Sequence, residues 1–122
     1  MSTLLLLEDE LPLRDIFRIS VEMINPNIKL KEFSVGDSAL AHIKANWVDI
    51  NLYVLDIRVP GDIDGFELAK EIRQLDQSTP IILTSAFIRP AKTELEKFKL
   101  IWMAKPWHLM EIPNKIIPLL QS

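Results

Sequence analysis

Five side chains in this sequence could do chemistry together: the adjacent acids Glu8 and Asp9, the acid Asp56, the hydroxyl of Ser85 and the amine of Lys105. Each follows a short apolar run: LLLL before Glu8-Asp9, LYVL before Asp56, PIILT before Ser85 and IWMA before Lys105. Three carboxylates brought together cannot all stay ionised unaided. Two like charges about 4 Å apart repel by about 4 kcal/mol at an effective dielectric of about 20. A divalent cation relieves that repulsion, and an all-oxygen donor set suits Mg2+, which keeps some water and seldom has a full protein cage. Lysine adds a point charge for an anionic group, and serine adds a hydroxyl donor. Mg2+, a lysine and a carboxylate are together what phosphoryl transfer onto that carboxylate requires.

Such a cluster needs elements that deliver each residue to one place. Thr3–Leu7 reads as a buried strand. Leu13, Ile16, Phe17, Ser20 and Ile24 then recur at helical spacing, with Pro12 tolerated in the first turn. Ile28 to Phe33 alternates and reads as a half-exposed edge strand. Gly36-Asp37 opens a helix reaching about Asn46, Leu52–Leu55 is a buried strand, and residues 57–64 form a turn-rich loop. Phe66, Ala69, Ile72 and Leu75 mark a third helix, Pro80–Leu83 a strand, Pro90–Phe98 a short helix and Leu100–Met103 a fifth strand. The last helical segment, from about His108, carries Pro113 and Pro118 and is expected to kink or break. Strand and helix alternating five times imply a parallel sheet with helices on both faces. Ligands of such sheets sit beyond the carboxyl ends of the strands. Glu8, Asp9, Asp56, Ser85 and Lys105 all follow strands, so they converge.

Composition leaves few other classes open. The 122 residues suit one domain, residues 1–122, with 48% hydrophobic and 25% charged residues. No apolar run nears the roughly 18 residues of a membrane span, and no signal peptide is evident. Cysteine is absent, which fits a cytoplasmic setting. A net charge of -3 with mixed signs gives no case for direct nucleic-acid binding. His42 and His108 read as solvated or capping residues, and Asp62 and Asp64 as shapers of their turn.

The segments LLLLEDE, VLDIRVPGDIDGFELAKEIR, PIILTSA and MAKPW, in that order and at this spacing, resemble a chemotaxis-regulator-like receiver domain of two-component response regulators. The resemblance covers essentially the whole chain. It implies a flavodoxin-like, doubly wound, five-stranded parallel sheet of order 2-1-3-4-5. It implies that Asp56 is the phospho-acceptor, that Asp9 and Asp56 ligate Mg2+, that Glu8 acts mostly through water, and that the Arg58 backbone carbonyl completes the protein ligands. Ser85 takes the switch-hydroxyl role, Lys105 pairs with the phosphoryl group, and Trp102 is the aromatic switch residue. Arg58 and Phe87 border the approach of hydrolytic water, and the Lys105-Pro106 bond is expected to be cis. The implied partners are a histidine kinase or histidine phosphotransfer protein and an output partner or output domain, with room for a homodimer. Catalysis is limited to the protein's own phosphorylation and dephosphorylation.

Three departures stand out. The loop DIRVPGDIDG is one residue longer than the common form, the stretch from Ser85 to Lys105 lacks the usual Ala-Gly-Ala turn, and the last helix holds two prolines. The last two fall on the face that receivers commonly use for dimerisation and output. Rival readings fit less well. A flavodoxin-like electron carrier would place a flavin phosphate against Glu8-Asp9-Glu10, and an aspartate-nucleophile phosphatase carries an acid where Arg58 stands. A receiver fragment of a larger regulator or hybrid kinase, or a docking module that works without phosphorylation, are the alternatives. Ser122 reads either as a natural end or as the edge of a longer protein.

Overall fold

The computed structural model describes residues 2–108 and 110–120. Its centre is a parallel sheet of β1 (Thr3–Leu7), β2 (Lys29–Phe33), β3 (Leu52–Asp56), β4 (Ile81–Ser85) and β5 (Leu100–Ala104), ordered β2-β1-β3-β4-β5. Around it lie α1 (Leu11–Ile24), α2 (Gly36–Asn46), α3 (Gly65–Leu75), α4 (Lys92–Lys97) and α5 (Glu111–Leu120). The expected fold and strand order are therefore observed. The chain end at Ser122 lies outside the described residues.

Alternation along the strands divides the core into two layers. Leu5, Leu7, Tyr53, Leu55, Ile81 and Leu83 pack against α2, α3 and α4 through Ala39, Ile43, Leu68, Ile72 and Leu95. Leu4, Leu6, Leu52, Val54, Ile82 and Met103 face α1 and α5 through Phe17, Val21, Ile112 and Ile116. This explains the uninterrupted leucines. A central parallel strand is covered on both faces, so every side chain must be apolar. All four leucines are fully buried, and truncating one to alanine costs about 2–5 kcal/mol. The half-polar β2 lies at one edge, as its alternation predicts.

Two helices differ from expectation. α4 spans only Lys92–Lys97, because Pro90 and Ala91 stay outside it and Ala91 has a non-helical ψ of 145°. α5 is not broken by its prolines. It runs from Glu111 to Leu120, with Pro113 in the first turn, where a missing N–H costs little. Pro118 lies within the last turn, where it deprives only the Asn114 carbonyl of an intrahelical donor.

The turn between α4 and β5 also shows how the chain manages without small residues. Lys99 takes a left-handed conformation with φ 54°. Arg73 on α3 donates to the carbonyls of Phe98 (2.7 Å), Lys99 (3.1 Å), Asp76 (3.1 Å) and Thr79 (2.8 Å). One buried guanidinium thus ties two loops together. The loop after β3 is held by a capping box, with Asp64 accepting from the Glu67 N–H at 2.8 Å and Glu67 from the Asp64 N–H at 3.2 Å. Asp37 accepts from the Asp62 N–H at 2.9 Å. Asp64 thus shapes this loop through its carboxylate, whereas Asp62 takes part through its backbone N–H. At Gly65 a Cβ would lie 2.1 Å from the Asp56 carbonyl oxygen, so α3 begins in direct backbone contact with the end of β3.

Candidate functional site

Register aligns the ends of the strands. Leu7 pairs with Leu55, Asp56 with Thr84 and Ser85 with Ala104; Asp56 and Ser85 thus end β3 and β4 rather than follow them, and they emerge beside Glu8 and Lys105, which follow β1 and β5. Two further backbone bonds extend the ladder: Glu8 N–H to the Phe33 carbonyl at 2.9 Å and Lys105 N–H to the Ser85 carbonyl at 3.1 Å. Glu8, Asp9 and Asp56 offer carboxylate oxygens that all lie within 4.8 Å of one another.

Lys105 is set between two of these acids. Its Nζ lies 2.6 Å from Glu8 Oε1 and 2.8 Å from Asp56 Oδ2, and all three side chains are almost wholly buried. The contact with Asp56 is a directed hydrogen bond. The contact with Glu8 has the distance of an ion pair but lacks hydrogen-bond direction, which leaves Glu8 Oε1 as a buried acceptor without a donor of its own. Glu8 thus meets the lysine directly. Burial, only partly offset by Lys105 and the Glu10 N–H, pushes the Glu8 carboxyl up to about 7. Burial also raises Asp56, against the opposing pull of Lys105. For Lys105 burial works downward, but its hydrogen bond to Asp56 and its close ionic contact with Glu8 outweigh it and the ammonium is held above its ordinary range.

Around this centre the Arg58 N–H donates to Asp56 Oδ1 at 3.2 Å, which lays the Arg58 peptide against the carboxylate. The Ser85 hydroxyl oxygen is buried and accepts from the N–H groups of Phe87 (3.1 Å) and Ile88 (3.2 Å), so it organises the loop after β4. Phe87 is exposed, and the Arg58 guanidinium stacks over its ring at 5.1 Å. These two side chains were expected on the same approach, and they touch. Beside them a cleft of about 470 Å3 is lined by Asp9, Arg58, Val59, Pro60, Asp64 and Ile88. Trp102 is half-buried, packed against the α4-side core and paired with Leu83 across the strands. His108 is exposed and His42 sits against Phe33, and neither belongs to the cluster of Glu8, Asp9 and Asp56.

Two residues near the centre have no place in the sequence reading. Trp107 is buried, donates from its indole to Thr84 Oγ1 at 2.9 Å, and lays its ring 5.6 Å from Lys105 Nζ. The signal available was an aromatic two residues after a lysine at a strand end. Thr84 is a fully buried hydroxyl that follows three apolar residues and precedes Ser85 in β4, and that interruption was its only mark.

A flavodoxin-like sheet with acids and a lysine gathered at its carboxyl edge defines a class of signalling fold. Residues 4–116 match the response regulator receiver domain family, and the chain belongs to that family. It is 32% identical over 124 residues to the cyclic di-GMP phosphodiesterase response regulator RpfG of Xanthomonas campestris, a match covering 97% of this chain and 32% of that protein. It is 36% identical over 86 residues to the transcriptional regulatory protein AfsQ1 of Streptomyces coelicolor, covering 70% of this chain and 36% of that one. The chain thus spans about a third of the length of these relatives. Among solved structures, a CheY-like receiver domain protein of Methanospirillum hungatei superposes with a TM-score of 0.85 at 19% identity, covering 99% of this chain and 94% of that one. The Vibrio cholerae chemotaxis protein CheY4 gives 0.80 at 20% identity, covering 98% of both chains. Among the described residues, no helix is long and apolar enough to cross a membrane.

Proposed function

We propose that this receiver domain accepts a phosphoryl group on Asp56 in the presence of Mg2+ and thereby switches a protein-interaction face. The observation that carries this reading is the Lys105 ammonium held within 2.8 Å of both Glu8 and Asp56, beside a third acid. Oxygen-only donors, and a buried Glu8 oxygen without a directed donor, fit a hard divalent cation. Asp9, Asp56 and the Arg58 carbonyl would hold it, with Glu8 behind them, and it would neutralise charge on the phosphoryl oxygens. A phosphohistidine of a histidine kinase or phosphotransfer protein, or a small acyl phosphate, is the donor. One Asp56 carboxylate oxygen bonds to phosphorus as the phosphorus–nitrogen bond breaks, the electron pair of that bond stays on the departing imidazole nitrogen, and solvent supplies the proton that neutralises it. Lys105 then leaves the carboxylate for the phosphoryl oxygens, and Ser85 donates its hydroxyl to them. The carboxylate has become a dianionic acyl phosphate, and the two-state face formed by α4, β5 and α5 responds through Trp102.

The protein on this reading is a switch whose chemistry is confined to its own phosphorylation state. Intact-mass spectrometry after incubation with Mg2+ and a small acyl-phosphate donor tests it. Wild type should gain one phosphoryl group and Asp56→Asn none. Equal gain by the variant would place the nucleophile elsewhere.

A further inference from the structure

A second charged feature lies at the other end of the sheet. It is bordered by the residues before β4 and β5, whereas the acids follow β1 and end β3. There the C-terminal ends of α3 and α4 enclose a groove of about 390 Å3 lined by Lys70, Gln74, Gln77, Lys97 and Lys99, with the buried Arg73 behind them. No acidic side chain lines it. Among the described residues, none of the three lysines has a carboxylate within ion-pair distance, although the chain carries a net charge of -3. Their ammonium groups are nonetheless held in place. Lys70 Nζ sits 4.8 Å from the centre of the Phe66 ring and Lys97 Nζ 5.3 Å from that of Phe98, and the two rings meet edge-on at 5.9 Å. Lys99 Nζ donates to the Gln77 carbonyl at 2.8 Å.

We propose that this groove docks an acidic segment of a partner protein, a short run of Asp and Glu side chains. Charge complementarity is the first argument, and cations already positioned lose little freedom on binding. The second is the kind of cation. Arginine reads phosphate through a bidentate fork, but here the one arginine has its guanidinium engaged by four carbonyls. What remains is ammonium point charges, suited to carboxylates. The third is extent: three lysines on an acidic protein make a local patch, not the long basic stripe that tracks a nucleic-acid backbone.

Fluorescence anisotropy of a labelled oligoglutamate peptide against the whole chain tests this. Binding should saturate at low salt and weaken strongly at about 0.5 M NaCl. A Lys70→Glu/Lys97→Glu variant should lose about ten-fold in affinity, and a Lys29→Glu/Lys44→Glu variant of equal charge on another surface less than about two-fold. Asp56→Asn should bind as wild type does, which separates this site from the phosphoryl reading. If the double variant melts early, Lys99→Glu, an exposed position, replaces it. Equal losses from both double variants would reduce the effect to net charge. Tighter, groove-dependent binding of a single-stranded oligonucleotide would make the site a nucleic-acid one. Absence of peptide binding would leave the lysines as partners of their own helix ends.

Discussion

Replacing Lys105 by Met removes one charge and keeps an apolar stem. In the wild type that ammonium lies 2.6 Å from Glu8 and 2.8 Å from Asp56, with no side chain of the three more than 5% exposed. Without it, two buried carboxylates face each other. Removing one partner of a buried ion pair costs about 3–5 kcal/mol, and protonation of Glu8, whose carboxyl is already raised to about 7, holds the loss to the lower end. The ammonium also neutralises Glu8 and Asp56, part of the negative charge that would attract a divalent cation held by Asp9 and Asp56, so Lys105→Met removes a competitor. Mg2+ affinity should rise by about ten-fold in the variant, a gain of ~1.4 kcal/mol. Urea denaturation checks both terms. The stability gap between the two proteins should be about 3 kcal/mol in EDTA. It should shrink by ~1.4 kcal/mol once Mg2+ saturates both. Phosphoryl acceptance should still fall by about 100-fold, because the charge that stabilises the transferring group is gone. A gap that Mg2+ leaves unchanged, or a variant that binds Mg2+ more weakly than wild type, would refute the competition.

Phe87→Ala should speed loss of the acyl phosphate several-fold, because it removes the ring on which Arg58 stacks. The donor is removed and decay followed by mass spectrometry; an unchanged rate would take Phe87 off the water path. A glutamate at this position would be a poorer test, since Arg58 would capture it. Trp102 should report the switch: the phosphate mimic beryllofluoride should alter emission in wild type and much less in Trp102→Phe. If Trp107→Phe silences the signal instead, the reporter is the indole beside Lys105. Burial pushes Asp76 upward, but hydrogen bonds from the Thr79 hydroxyl and the N–H groups of Ser78 and Thr79 outweigh it, so its carboxyl lies below the ordinary 3.8. A carboxyl lowered by folding contributes fully above 3.8 and loses that contribution as pH falls through its folded value. Asp76→Asn should therefore cost about 1–3 kcal/mol at pH 7, and the difference from wild type should narrow below that range in urea titrations at several pH values.

The strands were the most legible part of the sequence, because burial on both faces forces runs such as Leu4 to Leu7 that little else requires. Positions followed from the strands: once their ends were read, Glu8, Asp9, Asp56, Ser85 and Lys105 had to be neighbours. Contacts did not follow. That Glu8 meets Lys105 depends on tenths of an ångström in how the exits of β1 and β5 are placed across the intervening β3 and β4, and no residue pattern encodes that. Prolines in α5 misled because their cost depends on their place within the helix, and one fell in the first turn and the other in the last. The departure before β5 was visible, but its remedy was not. Arg73 lies 26 residues from Lys99, and a lone arginine in an amphipathic helix reads as a solvated one.

Gly65 sets a condition that any transplant or redesign of this cleft must respect. Its α-hydrogen faces the backbone of Asp56, and a methyl group there would meet the Asp56 carbonyl oxygen at 2.1 Å and its carbon at 2.6 Å. Neither atom belongs to a side chain that could rotate away, so the strain would pass into the main chain that carries the acid. The height at which Asp56 stands above the sheet is therefore calibrated by an absent atom. A designer who copied the five chemical side chains onto another parallel sheet, and let alanine begin the following helix, would reproduce the ingredients with the acid out of place.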